Sequence, residues 1–288
     1  MKTAKHRKKN RIEEGVVKVL MWISAVFVFG CLVWILASIL YRGLAAVDLA
    51  MLTQTPKGGF YLGKEGGILN AIVGSLLLAG GATISAVVLG FPIALYLHFY
   101  EKRSRWADLI RLAMDVLYGV PSIVYGAFGF IIMLWLGLRA SLLGGIITLA
   151  ILELPIIVRG MDETIALFPS PLKEASFSLG ATKLETATRI AVRQMVPGLL
   201  TVILLAFGRG IGDAASVLFT AGFSDRLPES LLSPVASLPL TVFFLLGTPF
   251  PTVQERAYAA AVVLTFVVLI TSTLSRLFSR KFTRNVIR

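Results

Sequence analysis

The chain is poor in cysteine, histidine and charge, and each shortage narrows what it can be. Cys31 is the single cysteine, which excludes an intramolecular disulfide and gives no metal-ligand spacing. His6 and His98 are the only histidines; neither has a carboxylate or nucleophile at a mechanistic spacing, so no catalytic set and no metal site is expected, and both read as structural. Charged residues make up only 15% of the 288 positions and hydrophobic ones 56%, with a mean hydropathy of +0.82. That balance excludes an ordinary water-soluble domain. A phosphate-binding loop is also missing. The run GGFYLGKE fits G-x-x-x-x-G-K, but Glu65 stands where Ser or Thr would hold magnesium, and no strand precedes it.

What is present is a series of apolar stretches. Six are long enough, or nearly so, to cross a hydrocarbon layer that needs roughly 20 helical residues: Val19–Tyr41, Ile68–Phe99, Val116–Leu138, Leu142–Val158, Met195–Phe223 and Ala257–Leu277. The second and fifth have length to spare for tilting or bending. The first exceeds a signal-peptide core and no clear small-x-small site follows, so it is expected to remain as an anchor. A further apolar stretch, Val235–Phe250, is short and flanked by prolines, and reads as an external re-entrant or interfacial segment. The fold class expected is an all-α polytopic membrane protein with six transmembrane helices.

The excess of 28 Lys and Arg over 16 Asp and Glu gives a net charge of +12. In a soluble protein that would suggest nucleic acid. Here 21 of the basic residues fall on the side that carries both ends of the chain, and six fall on the other: Arg42, Lys57, Lys64, Arg139, Arg226 and Arg256. Arg209 lies within a span. The bias follows the positive-inside rule and puts both termini in the cytoplasm; the charge reads as topology and contact with membrane lipid, with no nucleic acid partner. The expected organisation is a basic cytoplasmic tail over 1–18, an anchor helix over 19–41, an external loop over 42–67, a core over 68–280 containing a long cytoplasmic loop at 159–194, and a tail over 281–288. Gly80-Gly81, Gly90 with Pro92, and Gly119 with Pro121 are expected to interrupt the second and third spans, through close packing or bending.

Within the long cytoplasmic loop, Leu172, Ala175 and Leu179, then Leu184, Ala187, Ile190 and Ala191, recur at helical spacing on either side of Gly180. Two short helices joined by a glycine turn are predicted. Each has an apolar stripe that its own length cannot bury, which calls for lipid or a groove on another protein.

The segment EASFSLGATKLETATRIAV resembles the cytoplasmic signature of ABC importer permeases, in which Glu-Ala-Ala, three residues, Gly, nine residues and Ile precede a Leu-Pro pair. Glu174, Ala175, Gly180 and Ile190 match, while Ser176 replaces the second Ala and Val192 and Arg193 replace Leu and Pro. VPSIVYGAFGF, LPIIVRG, GRGIGDAASVLFTAG and ERAYAAAVVL, in that order, are similar to the phosphate permeases of the PstA type. The resemblance covers roughly residues 71–275. It implies a type I ABC importer permease fold and a channel-forming subunit that performs no chemical step. It also implies coupling through Glu174, Ala175, Ser176, Gly180 and Ile190 to separate ATPase subunits. The implied partners are a homologous second permease, two ATPase subunits that carry the ATP and magnesium, and a periplasmic phosphate-binding protein. No cofactor is expected on this chain itself.

Three side chains stand out for the substrate pathway. Arg209 lies near the centre of the fifth apolar stretch, where an arginine costs roughly 2.5–3.5 kcal/mol to insert. Asp213, four residues on, is expected on the same helix face, able to pair with it and so to limit how tightly an anion is held. Arg159, at the inner end of the fourth span, matches an arginine of the phosphate permeases and could equally be an interface residue with its charge in the headgroups. Glu153, an acid at membrane depth, is expected to pair with a cation on a neighbouring span or subunit. Rival readings are a permease for another oxyanion, such as sulfate or molybdate, and a self-contained ion-coupled transporter, which would be expected to carry its own coupling residues and often an internal repeat.

Overall fold

The computed structural model describes residues 2–57, 65–100 and 104–283, with side chains over 13–57, 66–100 and 104–278. The GGFYLGK run and the side chain of His6 lie outside the described residues. Helix α1 (Lys2–Gly43) and a short α2 (Leu49–Thr53) come first, followed by a two-residue pair of antiparallel strands, Pro56–Lys57 and Glu65–Gly66. Then come α3 (Leu69–Phe99), α4 (Arg105–Tyr118), α5 (Ser122–Trp135), α6 (Leu142–Ala166), α7 (Ser170–Ser178) and α8 (Lys183–Glu185). The chain closes with α9 (Val192–Gly212), α10 (Leu238–Leu246) and α11 (Pro251–Thr283).

The helices α1, α3, α6, the rod running from α8 into α9, and α11 are each long and apolar enough to cross a membrane. The pair α4 and α5 passes the same test only together, and it is bent by 101° at the break between them. Six crossings are reached by counting that pair as one span. Helix α5 alone has 14 residues, about 21 Å of rise, short of a full hydrocarbon layer.

The interior lies among α3, α6 and α9. Ala86 and Ala94 of α3, Ile157, Met161 and Ile165 of α6, and Leu199 and Ala206 of α9 form one buried cluster. Small residues let these helices approach closely: a Cβ on Gly81 would meet the Ile146 side chain, and one on Gly90 would meet Ile157. The expected interruption of the second span therefore does not occur. Helix α3 runs unbroken through Gly80, Gly81, Gly90 and Pro92, since its lost hydrogen bond at Pro92 falls within a continuous helix. Gly119 and Pro121 do break the third. By contrast α1 has none of its apolar window buried and rests against α11 through Gly43, which abuts the Tyr258 carbonyl and Val262.

Helix α1 begins at Lys2 and α11 covers Pro251–Thr283, both beyond the apolar stretches read from the sequence, and two further boundaries bear on the site. The fourth span extends eight residues beyond Val158, to Ala166. The fifth ends at Gly212, well before Phe223, because Asp213 turns to an extended conformation and its side chain accepts hydrogen bonds from the backbone N–H and hydroxyl of Ser216. A short acidic side chain offering a local bond competes with the next helical turn. The following loop seats the start of α6: Ser141, Leu142 and Leu143 donate their N–H groups to the carbonyls of Thr220, Ser233 and Leu231, satisfying donors that a helix start leaves open. Helix α10 has nine residues, about 14 Å, so it cannot cross; Leu238 and Leu240 are buried and the helix packs against α11 and α3.

Candidate functional site: the two ends of the fifth span

At one end of α9 lies the glycine turn. Helix α7 stops at Gly180, whose φ of +84° is a left-handed conformation open to glycine and costly for other residues. Thr182 then starts the next helix with a capping box, in which its hydroxyl accepts from the Glu185 N–H while the Glu185 carboxylate accepts from the Thr182 N–H. The helix passes through a π-helical stretch, Thr186–Ala191, straight into α9, so the two predicted helices are present and the second is the root of the fifth span. Ser176 is buried and its hydroxyl lies 2.8 Å from that of Thr186. A residue that departs from the family signature thus ties α7 to the root.

The predicted stripes divide. Leu172, Ala187, Ile190 and Ala191 pack inward on the main core. Leu179 and Leu184, 89% and 59% exposed, face outward with Phe177, beside a groove of about 360 Å³ formed by Leu179, Gly180, Ala181, Glu185, Arg189 and Ile190. Glu174 and Ala175 are exposed on α7.

Arg209 and Glu153 are at the other end. Arg209 occupies the last turn of α9 and is exposed. The expected pair with Asp213 is absent: Asp213 has left the helix and is engaged by Ser216, and among the described residues no carboxylate forms an ion pair with Arg209. Its guanidinium instead lies 5.9 Å from the centre of the Tyr118 ring, at the end of α4, within the range of a cation–π contact. Gly210, about 100° further round the helix, is buried against α6, where a Cβ would collide with Oε1 of Glu153. Glu153 is completely buried. The hydroxyl of Thr83 on α3 donates to its Oε2 at 2.8 Å, and Oε1 has no hydrogen-bond partner among the described residues. Among the described residues of this chain, Glu153 thus meets a hydroxyl and no cation on a neighbouring span.

Arg159 is placed elsewhere. Its Nε lies 2.9 Å from Oδ1 of Asp115 on α4 and its Nη2 3.3 Å from Oε1 of Glu163. A second pair runs the opposite way, from Arg111 Nε of α4 to Asp162 Oδ2 of α6 at 2.9 Å. Together they clamp α4 to the C-terminal half of α6. Sequence reasoning missed this clamp, although two opposite charges four residues apart on α4 and two more three apart on α6 form complementary faces. His98 is buried beside the Phe99 ring.

The chain belongs to the family of binding-protein-dependent transport system inner membrane components, which matches residues 86–286, and within it to the phosphate transport system permease proteins PstA. The PstA of Yersinia pestis is 36% identical over 97% of this chain and 93% of its own length, and PstA 1 of Mycobacterium tuberculosis is 35% identical over 90% and 86%. Among solved structures, a chain of the MetNI methionine ABC transporter in inward-facing conformations aligns with a TM-score of 0.60 at 16% identity, over 75% of this chain and 95% of that one. A bacterial alginate ABC transporter aligns over 92% and 96% with a TM-score of 0.53 at 15% identity. These two similarities establish the fold, a type I ABC importer permease fold.

Proposed function

We propose that the chain is one of two homologous permease subunits between which inorganic phosphate crosses the inner membrane, with Arg209 as the phosphate contact. The reading is supported by relatives that are phosphate permeases and, above all, by one observation: Arg209 is exposed at the tip of α9 with no carboxylate paired to it among the described residues. An arginine on a helix otherwise apolar enough to cross a membrane needs compensation. Its planar fork can hold two oxygens of an anion, and the absence of a paired carboxylate leaves that charge available to the cargo.

The mechanism is alternating access. A periplasmic binding protein delivers phosphate, and two ATPase subunits, carrying ATP and magnesium, close in the cytoplasm, where both termini of this chain lie. Their motion enters through Glu174, Ala175, Ser176, Gly180 and Ile190, with Leu179 and Leu184 as the apolar residues seated in the ATPase. Because α7 follows α6 and α8 leads into α9, movement of this turn is conveyed to both spans. Arg159 serves the clamp to α4 and is not a phosphate contact. The chain binds no cofactor of its own. Arg209→Gln should lower phosphate uptake by more than about 100-fold while the variant still copurifies with the ATPase; uptake at the parent rate in an assembled variant would refute the role of Arg209. Competition by sulfate or molybdate in the same assay checks the alternative oxyanions.

A further inference from the structure

We infer that Tyr118 is a positioning residue for Arg209: its ring holds the guanidinium by one face and leaves the N–H edge open to the anion. The inference deepens the reading of Arg209 as the phosphate contact and rests on it. A carboxylate partner would fix the same side chain by occupying the N–H groups and cancelling the charge that the cargo needs. An aromatic ring fixes it differently, since stacking uses the face of the guanidinium plane while the donors lie in that plane. At the tip of α9 the Tyr118 ring of α4 faces Arg209, while Asp213 is engaged by Ser216, Glu153 is held by the Thr83 hydroxyl, and no carboxylate among the described residues forms an ion pair with Arg209.

Tyr118 is held where it can do this. It is the last residue of α4, at the 101° break before α5. Across the break the hydroxyl of Tyr125, a buried residue of α5, donates to the Leu117 carbonyl at 2.8 Å. One turn back Asp115 grips Arg159, and two turns back Arg111 grips Asp162. Helix α4 is thus fastened to α6, which leads into the coupling turn. The Tyr118 hydroxyl itself makes no hydrogen bond among the described residues, so the ring is the part that the arrangement uses.

The test uses the whole transporter, reconstituted in vesicles with the partner permease, the ATPase subunits and the binding protein, and measures phosphate moved per ATP hydrolysed. Tyr118→Leu should lower that ratio by about tenfold with ATP hydrolysis retained, the scale of one cation–π contact. Tyr118→Phe should stay within about twofold of the parent, because the ring remains. In an Arg209→Gln background, Tyr118→Leu should add less than about twofold, since the partner is gone. A parent ratio in Tyr118→Leu, with Arg209→Gln impaired, overturns the role of Tyr118 alone. Equal loss in Tyr118→Phe, losses that multiply in the double variant, or a fall in ATP hydrolysis in step with transport also overturn it. A parent ratio in Arg209→Gln overturns the phosphate contact itself and this inference with it.

Discussion

The root and the tip of α9 are both places where the helical chain breaks, yet they spend their polar groups in opposite ways. At the root the hydroxyls of Ser176 and Thr186 meet each other, Thr182 and Glu185 cap each other, and the side chains left facing outward include Leu179, Leu184 and Phe177. At the tip Asp213 is consumed by Ser216, Glu153 is buried beside Gly210 with one oxygen unpartnered among the described residues, and the side chain left facing outward is Arg209. An apolar surface ringed by satisfied polar groups suits a protein cleft, because docking buries area without stranding donors. An exposed cation in an apolar span suits an ion that must be both bound and released. On the proposed reading, one rod offers an apolar end to a protein and a cationic end to an anion.

That contrast can be broken from either end. The largest effect should come from Gly210→Val at the tip, where the added carbons collide with a completely buried carboxylate; overpacking plus displacement of Glu153 should cost at least about 3 kcal/mol, seen as loss of the folded chain from membranes in a detergent-stability assay. Next is Leu184→Asp at the root. It should reduce capture of the ATPase subunits by more than about tenfold, as expected for a charge placed in an apolar contact, without lowering the thermal stability of the isolated chain, because Leu184 is exposed. Normal capture would mean that the cleft engages some other surface. The smallest effect is predicted for Asp213→Asn. An amide oxygen can still accept from Ser216, so phosphate uptake should stay within about twofold of the parent; a large loss would show that the charge of Asp213 acts on Arg209 after all.

The two regions were unequally legible. The root could be read because its information is local: helical spacing on both sides of Gly180 and a capping pair three residues apart specify two helices and a turn wherever they lie. What the spacing could not show was which stripe faces inward, and Leu172 and Ile190 went to the core while Leu179 and Leu184 stayed out. At the tip the same local logic misled. Asp213 is four residues after Arg209, the spacing of a helical ion pair, but the helix stops between them as Asp213 bonds to Ser216. The partners that matter there are far away in sequence. Tyr118 reaches Arg209 and Asp115 reaches Arg159 only because α4 folds back at the bend.

By itself the sequence determined the solvent, the helical class, the segments that cross or nearly cross it, and the family. Each of these follows from hydropathy summed over a window or from residues close together in the chain. Only the tertiary structure decided that α3 passes Pro92 unbroken, that the third span bends by 101°, and that Arg209 meets an aromatic ring where a carboxylate was expected. Those outcomes depend on which helices pack together, and in an apolar span every polar side chain must take the partner that packing brings within reach.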